Sequence, residues 1–287
     1  MNHTIKNDTY TLTVSDHGAE IKSLIKGGFE LMWQADPRFW GRTSPVLFPL
    51  VGNYWNKTTS FEGREYNLSQ HGFARDMDFS LVKDTENELL FELNDTEETL
   101  TKYPFKFKLQ IGYSLTEDGV KVTWIVNNPS DREMYFSIGG HPAFNCKLED
   151  SQLLLLKDGK PCGDYLKVNV IAADGSGCLS EKVKEFSLNN GSLQLSSEMF
   201  DEDALIVEEK QADTAVLLEN GKEVLRVAFD APLFGIWSPT GKNAPFVCIE
   251  PWYGRCDRVG FSEDISKREF GNSLLPKAKF EESYNIK

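Results

Sequence analysis

Apolar and polar positions alternate with a period of two along much of the chain. In Tyr10-Thr11-Leu12-Thr13-Val14 the apolar residues fall on one side, and after a turn at His17-Gly18 the segment Glu20-Ile21-Lys22-Ser23-Leu24 resumes the pattern. That is the period of a half-buried strand, and the pair predicts a hairpin-like start. Leu89–Leu93 reads as a strand, and Phe105-Lys106-Phe107-Lys108-Leu109-Gln110-Ile111 has one clean apolar face. A turn at Glu117-Asp118-Gly119 leads into a strand over Val120–Val126, which Asn127-Asn128-Pro129-Ser130 terminates. Further strands are predicted at 134–138, 192–196, 214–218, 223–229 and 246–250.

Helical periodicity is poor, with short helices expected only near 98–103 and 262–267. No stretch rich in Gly, Pro or Ser marks a linker, and no fixed-period repeat is present. Many short strands with frequent turns predict an all-β protein, an antiparallel sandwich, with residues 1–287 forming one domain.

The chain carries a net charge of −13. Such a surface disfavours a nucleic-acid partner, since phosphate backbones select basic proteins, and equally disfavours an anionic membrane. The first residues, Met1-Asn2-His3-Thr4-Ile5-Lys6, lack the apolar core of a secretion signal, and no apolar run spans a bilayer, so a cytoplasmic location is expected. Five cysteines without a CxxC pair predict neither a disulfide framework nor a zinc site.

Two of the four histidines sit in glycine-flanked polar settings: Gln70-His71-Gly72-Phe73-Ala74-Arg75 and Gly139-Gly140-His141-Pro142-Ala143. Histidine is the side chain whose proton is most readily traded near neutral pH. His71 either points into a cleft or braces a turn. The two glycines and the proline around His141 make its backbone specialised, which aims a side chain or closes a strand end. Glu250 ends an apolar strand, with Cys248 and Glu250 on one face and Val247 and Ile249 on the other. Beside Pro251 and Trp252 its carboxyl is either desolvated, with a raised pKa, or exposed on a loop. Arg42, among aromatics and prolines, either forks onto hydroxyls or a phosphate or stacks on Trp40. Asp201 and Asp203 either accept hydroxyl hydrogen bonds or cap a turn. Walker, GxGxxG, HExxH and GxSxG patterns are absent.

In order and wording these segments resemble the aldose 1-epimerase (galactose mutarotase-like) superfamily. The pieces are Arg42 before Pro45-Val46-Leu47-Phe48-Pro49, His71-Gly72-Phe73-Ala74-Arg75, Gly140-His141-Pro142-Ala143-Phe144-Asn145, Asp203-Ala204-Leu205-Ile206 and Ile249-Glu250-Pro251-Trp252. The Trp33-Gln34-Ala35-Asp36-Pro37 segment looks most like the LacX-type branch. The resemblance implies an antiparallel β-supersandwich and an isomerase that interconverts the α and β anomers of an aldohexose or related sugar. It implies no cofactor and no catalytic metal. By position His141 would be the general acid at the ring oxygen and Glu250 the general base at the C1 hydroxyl, on opposite sides of the reacting centre. His71, Arg42, Asp203 and Arg75 would bind substrate. Typical galactose mutarotases carry an Asn-Arg pair after their first glycine segment, and this chain departs from that pattern: Gly52-Asn53-Tyr54-Trp55 has no arginine, so Arg42 is expected to serve instead.

Arg42 together with Arg75 also resembles the hexose-6-phosphate mutarotase branch, which makes a sugar phosphate the alternative substrate. A non-catalytic sugar-binding module on the same fold is the reading from another class, and a monomer or homodimer is the expected state. A glycoside hydrolase would need a carboxylate pair flanking the sugar bond, which Glu250 with a histidine does not supply. With Glu250 as base and His141 as acid, the rate should follow a bell in pH, its acid limb from Glu250 and its basic limb from His141.

Overall fold

A computed structural model describes residues 1–287. The alternation read from the sequence appears directly as burial: in Lys108–Thr116 the side chains of Leu109, Ile111, Tyr113 and Leu115 are buried and their neighbours are not. Every strand-to-strand ladder is antiparallel. The larger sheet has ten strands, running from Lys160–Pro161 through Ser151–Lys157, Thr214–Glu219, Lys222–Phe229, Lys279–Ile286, Gly119–Asn127, Lys108–Thr116 and Glu88–Asn94 to Ser80–Asp84, with Ser192–Gln194 beside Ser151–Lys157. The second has eight, ordered Leu179–Ser187, Tyr165–Ile171, Leu205–Val207, Leu233–Trp237, Phe246–Tyr253, Ile138–Gly140 and Val46–Leu47, with Ala143–Asn145 also on Phe246–Tyr253. The predicted hairpin start is part of a separate four-stranded sheet over Asn2–Glu30.

The two large sheets face each other across one apolar cluster that draws side chains from Ile5 to Ile286. Trp124 and Tyr284 of the larger sheet meet Tyr253 of the smaller there, the Trp124 and Tyr253 rings lying edge to face at 6.2 Å. The architecture is thus the antiparallel sandwich that the period-two pattern predicts. The outermost strand, Leu179–Ser187, presents Glu181, Lys182, Lys184 and Glu185, charges that discourage another strand from adding to an open edge.

Several boundaries differ from the sequence reading, each for a visible reason. Phe105 and Phe107 are fully buried but precede the ladder, which starts at Lys108 and runs on to Thr116. The strand expected over 134–138 is two strands, Met134–Phe136 and Ile138–Gly140, in different sheets. The helix expected at 98–103 is Glu97–Lys102, started by a capping box in which Thr96 and Thr99 bond each other's backbone N–H. Only a single 3-10 turn, Ile265–Lys267, occupies 262–267. The last strand, Lys279–Ile286, lies in the middle of the larger sheet, and its apolar pattern is interrupted at Glu282, a core-facing position where Tyr253 Oη donates to the carboxylate at 2.9 Å.

A buried ionic network braces the wall next to the cleft. Asp257 accepts from Arg268 Nε at 2.6 Å and from the Trp55 N–H at 2.9 Å, while Arg268 also donates to Arg255 O at 2.6 Å and Ser137 Oγ at 3.2 Å. Asp257 is 4% exposed and Arg268 7%. Removing one partner of such a pair strands the other charge away from water. Asp257→Ala should therefore cost about 3–5 kcal/mol in urea unfolding; a loss below about 1 kcal/mol would place the pair among weak surface bridges.

Candidate active site

The strand Phe246–Tyr253 is buried on both faces and divides its side chains as the alternation predicts. Val247 and Ile249 enter the main core, and Phe246 and Cys248 join Trp33, Ala143 and Ala244 in a smaller cluster. Glu250 and Trp252, further along, line a cavity. The strand does not end at Glu250; it continues through Pro251 to Tyr253. Its neighbour on one side is broken: Ile138–Gly140 pairs with Trp252 and Tyr253, and Ala143–Asn145 pairs with Phe246 to Cys248. His141 and Pro142 occupy the break, which lies opposite Glu250. The histidine is thereby set beside the carboxylate, with Nε2 3.3 Å from Glu250 Oε1. The His141 N–H bonds Pro45 O at 3.1 Å, and Glu20 fixes the adjoining loop by accepting from the N–H groups of Thr43 and Ser44 at 2.7 and 2.8 Å.

His71 comes from a third segment. Its own φ is +65°, and the next residue, Gly72, has φ +70° with a hypothetical Cβ only 2.3 Å from Phe48 O, so no other residue fits there. The His71 N–H bonds Gly52 O at 2.8 Å, and the Gly52 N–H donates to His71 Nδ1 at 3.1 Å. An Nδ1 that accepts carries no proton, so His71 is a neutral imidazole with its N–H at Nε2. The His71 and His141 rings meet edge to face at 5.6 Å.

Burial dominates the electrostatics. Glu250 is 1% exposed, and desolvation pushes its carboxyl well above the ordinary range; the Trp252 indole draws it partway back and the charge of Asp203 adds to the rise. Desolvation lowers His141 to about 3, helped by the nearby charges of Arg75 and Arg42. His71 is lowered well below its usual value by burial, then by His141 and the same two arginines. Both shifts favour neutral groups, so the pair at rest holds one proton, on the carboxyl. His141 Nδ1, Glu250 Oε2 and Trp252 Nε1 are buried without a hydrogen-bond partner, in three residues that share the cavity wall.

The cavity, of about 240 Å³, also has Arg75, Asp203, Gln70, Trp40 and Trp237 on its wall. Asp203, with φ +72°, accepts from Trp237 Nε1 at 2.9 Å, and burial raises its pKa. Asp201 is exposed and does not line the inner cavity. Arg75 donates to Gln70 O at 2.7 Å and its Nε lies 3.7 Å from Asp76 Oδ2, too far for a hydrogen bond; burial with the Arg42 charge lowers its pKa to about 10. Arg42 stands outside the cavity lining, paired with Asp76 at 2.7 Å, although its charge is felt at both histidines. Trp40 stacks on His141 at 4.7 Å and 28°, rather than on Arg42, and continues through Phe246 at 5.9 Å to Trp33, stacked on Phe246 at 4.6 Å. Of the residues the sequence reading singled out, His71, His141, Glu250, Asp203 and Arg75 meet in one cavity. Gly177, Ile171 and Cys256 on its wall were not foreseen, and no local pattern marks them.

His141, Cys248 and Glu250 are the one group of ligand atoms close enough together to hold a metal ion, within 4.8 Å of one another. Burial raises both the Cys248 thiol and the Glu250 carboxyl well above their usual values, so two of the three donors hold a proton that a cation would have to displace. No helix is long and apolar enough to cross a membrane.

An antiparallel sandwich of this kind is the fold of galactose mutarotase-like proteins. Residues 1–257 match the family model described as aldose 1-epimerase, and the chain belongs to that family. Protein LacX from Lactococcus lactis is 29% identical, the match covering 98% of this chain and 97% of the relative. A galactose mutarotase related enzyme from Lactobacillus acidophilus superposes with a TM-score of 0.89 at 34% identity, covering 100% of this chain and 96% of that one. A galactose mutarotase-like protein from Lactobacillus casei gives 0.92 at 28% identity, with 100% and 99% coverage.

The buried pair makes stability depend on pH in a defined direction. A carboxyl raised above its usual 4.5 contributes fully below that value, and the contribution is lost as pH rises toward the raised pKa. A histidine lowered from 6.5 to about 3 contributes above 6.5 and loses that contribution as pH falls. Glu250→Gln removes the first titration. Its melting temperature relative to the parent should therefore climb as pH rises above 4.5; a difference that stays constant as pH rises would mean that Glu250 is not held protonated.

Proposed function

We propose that the protein is an aldose 1-epimerase, a mutarotase that interconverts the α and β anomers of an aldohexose or related sugar by acid–base ring opening, with residues 1–287 acting as one unit. The observation that carries this reading is the direct approach of His141 Nε2 to Glu250 Oε1, 3.3 Å apart in a buried cavity. The reaction breaks the bond from C1 to the ring oxygen. It requires a proton delivered to that oxygen and another taken from the hydroxyl on the same carbon. The two oxygens share C1, so the acid and base must act around one carbon, within reach of a close pair on the cavity wall.

In this mechanism His141 protonates the ring oxygen and Glu250 receives the hydroxyl proton. The C1–C2 bond of the open aldehyde then rotates, and the hydroxyl re-adds with both transfers reversed. Opening leaves the imidazole neutral and the carboxyl protonated, which is the state that burial favours in the empty site. The open-chain form is thus matched to the resting pair, and the charged pair forms only with a ring bound. The π face of Trp40 favours an imidazolium at His141 during that half of the cycle. His71, as an Nε2–H donor, bonds a sugar oxygen near the ring oxygen. Asp203 and Arg75 hold hydroxyls, and Arg42 acts from the rim.

The phosphosugar reading draws on the two neighbouring cations, Arg75 on the cavity wall and Arg42 close by. Against it, Asp76 already pairs with Arg42. A sugar-binding module without catalysis has no need for an acid and a base in contact. The family membership and the LacX-like full-length match support a sugar ligand in either case.

Freshly dissolved α-anomers, with and without a 6-phosphate, followed by polarimetry test the activity. Glu250→Gln and His141→Asn should each lower kcat by at least ~10²-fold with a smaller change in KM, and full activity in Glu250→Gln would require a different base. Arg75→Ala should act mainly on KM, and more strongly for the phosphorylated sugar if that is the substrate.

The pair works only while it holds a single proton, so kcat/KM should trace a bell. Because the pKa order is inverted, the acid limb belongs to a second proton reaching His141 and the basic limb to loss of the proton from Glu250. That reverses the assignment expected from their catalytic roles and broadens the plateau across neutral pH. A narrow optimum with limbs near the ordinary 4.5 and 6.5 would show that burial does not control the site.

A further inference from the structure

The inner cavity continues outward. Past Asp203 and Trp237 it joins a second recess of about 690 Å³, against about 240 Å³ for the inner space. Trp40, Gln70, Gly177, Asp203 and Trp237 border both, and the recess adds Phe39, Asn53, Asp201 and Thr240.

Asn53 is the residue there without a structural purpose for its side chain. The residue is 8% exposed and its carboxamide bonds nothing in the protein; its backbone carbonyl accepts from Asp257 N–H at 2.9 Å and from Cys178 Sγ at 3.8 Å. Its Nδ2 lies over Gly177, which has φ +67° and whose hypothetical Cβ would be 2.2 Å from that nitrogen. The bare glycine makes room for the amide. The amide atoms open onto the recess instead of a protein partner, and two donors and an acceptor presented there suit a hydroxylated ligand. Gln70 adds a second carboxamide without an internal bond. The rings of Phe39, Trp40 and Trp237 offer apolar faces beside these polar groups, the mixture that fits a sugar ring.

The charges exclude an anion. Glu202 is neutralised by Lys182, at 2.7 Å, and by Lys184. Lys242, the one lysine on the wall, donates to Phe39 O at 2.8 Å. Asp201 has no ion-pair partner, so a phosphate here would meet an uncompensated carboxylate.

We infer that the recess is a second sugar subsite and that the preferred substrate is a neutral reducing oligosaccharide, its reducing ring in the inner cavity and the next ring against Asn53. The inference rests on the mutarotase reading for what happens to the inner ring. Only the reducing ring opens and recloses, and the glycosidic bond stays intact.

The full-length protein is tested by NMR with D-glucose, maltose, cellobiose and glucose 6-phosphate. Exchange of magnetisation between α and β anomeric protons reads turnover, and saturation transferred from the protein to the non-reducing ring reads the recess. The better of the two disaccharides should exceed glucose in kcat/KM by about tenfold, the worth of one or two added hydrogen bonds. Its second ring should receive saturation. Asn53→Ala should lower the disaccharide's kcat/KM about tenfold more than that of glucose, and Phe39→Ala, on a different segment, should shift the ratio the same way should the first variant fail to fold. Equal kcat/KM for disaccharide and glucose, an unsaturated second ring, a preference for glucose 6-phosphate, or equal losses on both sugars would overturn the subsite. Saturation of the second ring without anomer exchange would instead keep the subsite and reject the mutarotase reading.

Discussion

The site depends on one constraint: an imidazole and a carboxyl, 7% and 1% exposed, are held 3.3 Å apart in the wall of the cavity. Removing solvent penalises both charged forms, so the carboxyl keeps its proton and the imidazole stays neutral. An exposed pair of the same residues would settle as an ion pair near neutral pH. Burial therefore keeps one transferable proton on the carboxyl and leaves the charged arrangement to be created by a bound sugar. The remaining architecture serves to keep that pair buried and aligned.

The alignment is a property of strand pairing. Glu250 has its place because Phe246–Tyr253 is hydrogen-bonded on both sides, and His141 because the neighbouring strand is interrupted for two residues opposite it. The His141 ring is then backed by Trp40, Phe246 and Trp33, a column of near-parallel rings that ends in the smaller apolar cluster. Trp33 Nε1 donates to Trp40 O at 2.8 Å, tying the two ends of that loop together. The histidine's freedom to rotate is removed by packing on one side and by Glu250 on the other. His71 is fixed by backbone alone, through its paired bonds with Gly52.

Much of this was legible in the sequence. Period-two alternation identified the fold class, because antiparallel strands with one buried face write their environment into residue order. Glycine and proline around His141, and glycine after His71, marked backbones that only a specialised geometry requires. Other features were not legible. Lys279–Ile286 escaped notice because Glu282 stands on its apolar face, and its compensation by Tyr253 is a tertiary contact. Arg42 stands beyond the cavity lining because Asp76, thirty-four residues away, captures its guanidinium. The stacking of Trp40 on His141 joins residues a hundred positions apart, and no local pattern encodes such a contact. The inverted order of the two pKa values likewise follows from burial on both faces of Phe246–Tyr253, which the short apolar run beside a proline did not reveal.

The protonation of the pair is most directly read from the ring nitrogens of His141 by nitrogen-15 NMR across a pH titration, the resonance being assigned by its loss in His141→Asn. A neutral imidazole that persists through 6.5, where an ordinary histidine titrates, and takes up its proton only toward about 3 is the predicted result. An imidazolium at His141 near neutral pH, titrating at the ordinary value, would contradict the account, because it would mean that the cleft does not desolvate the two groups on which the proposed chemistry depends.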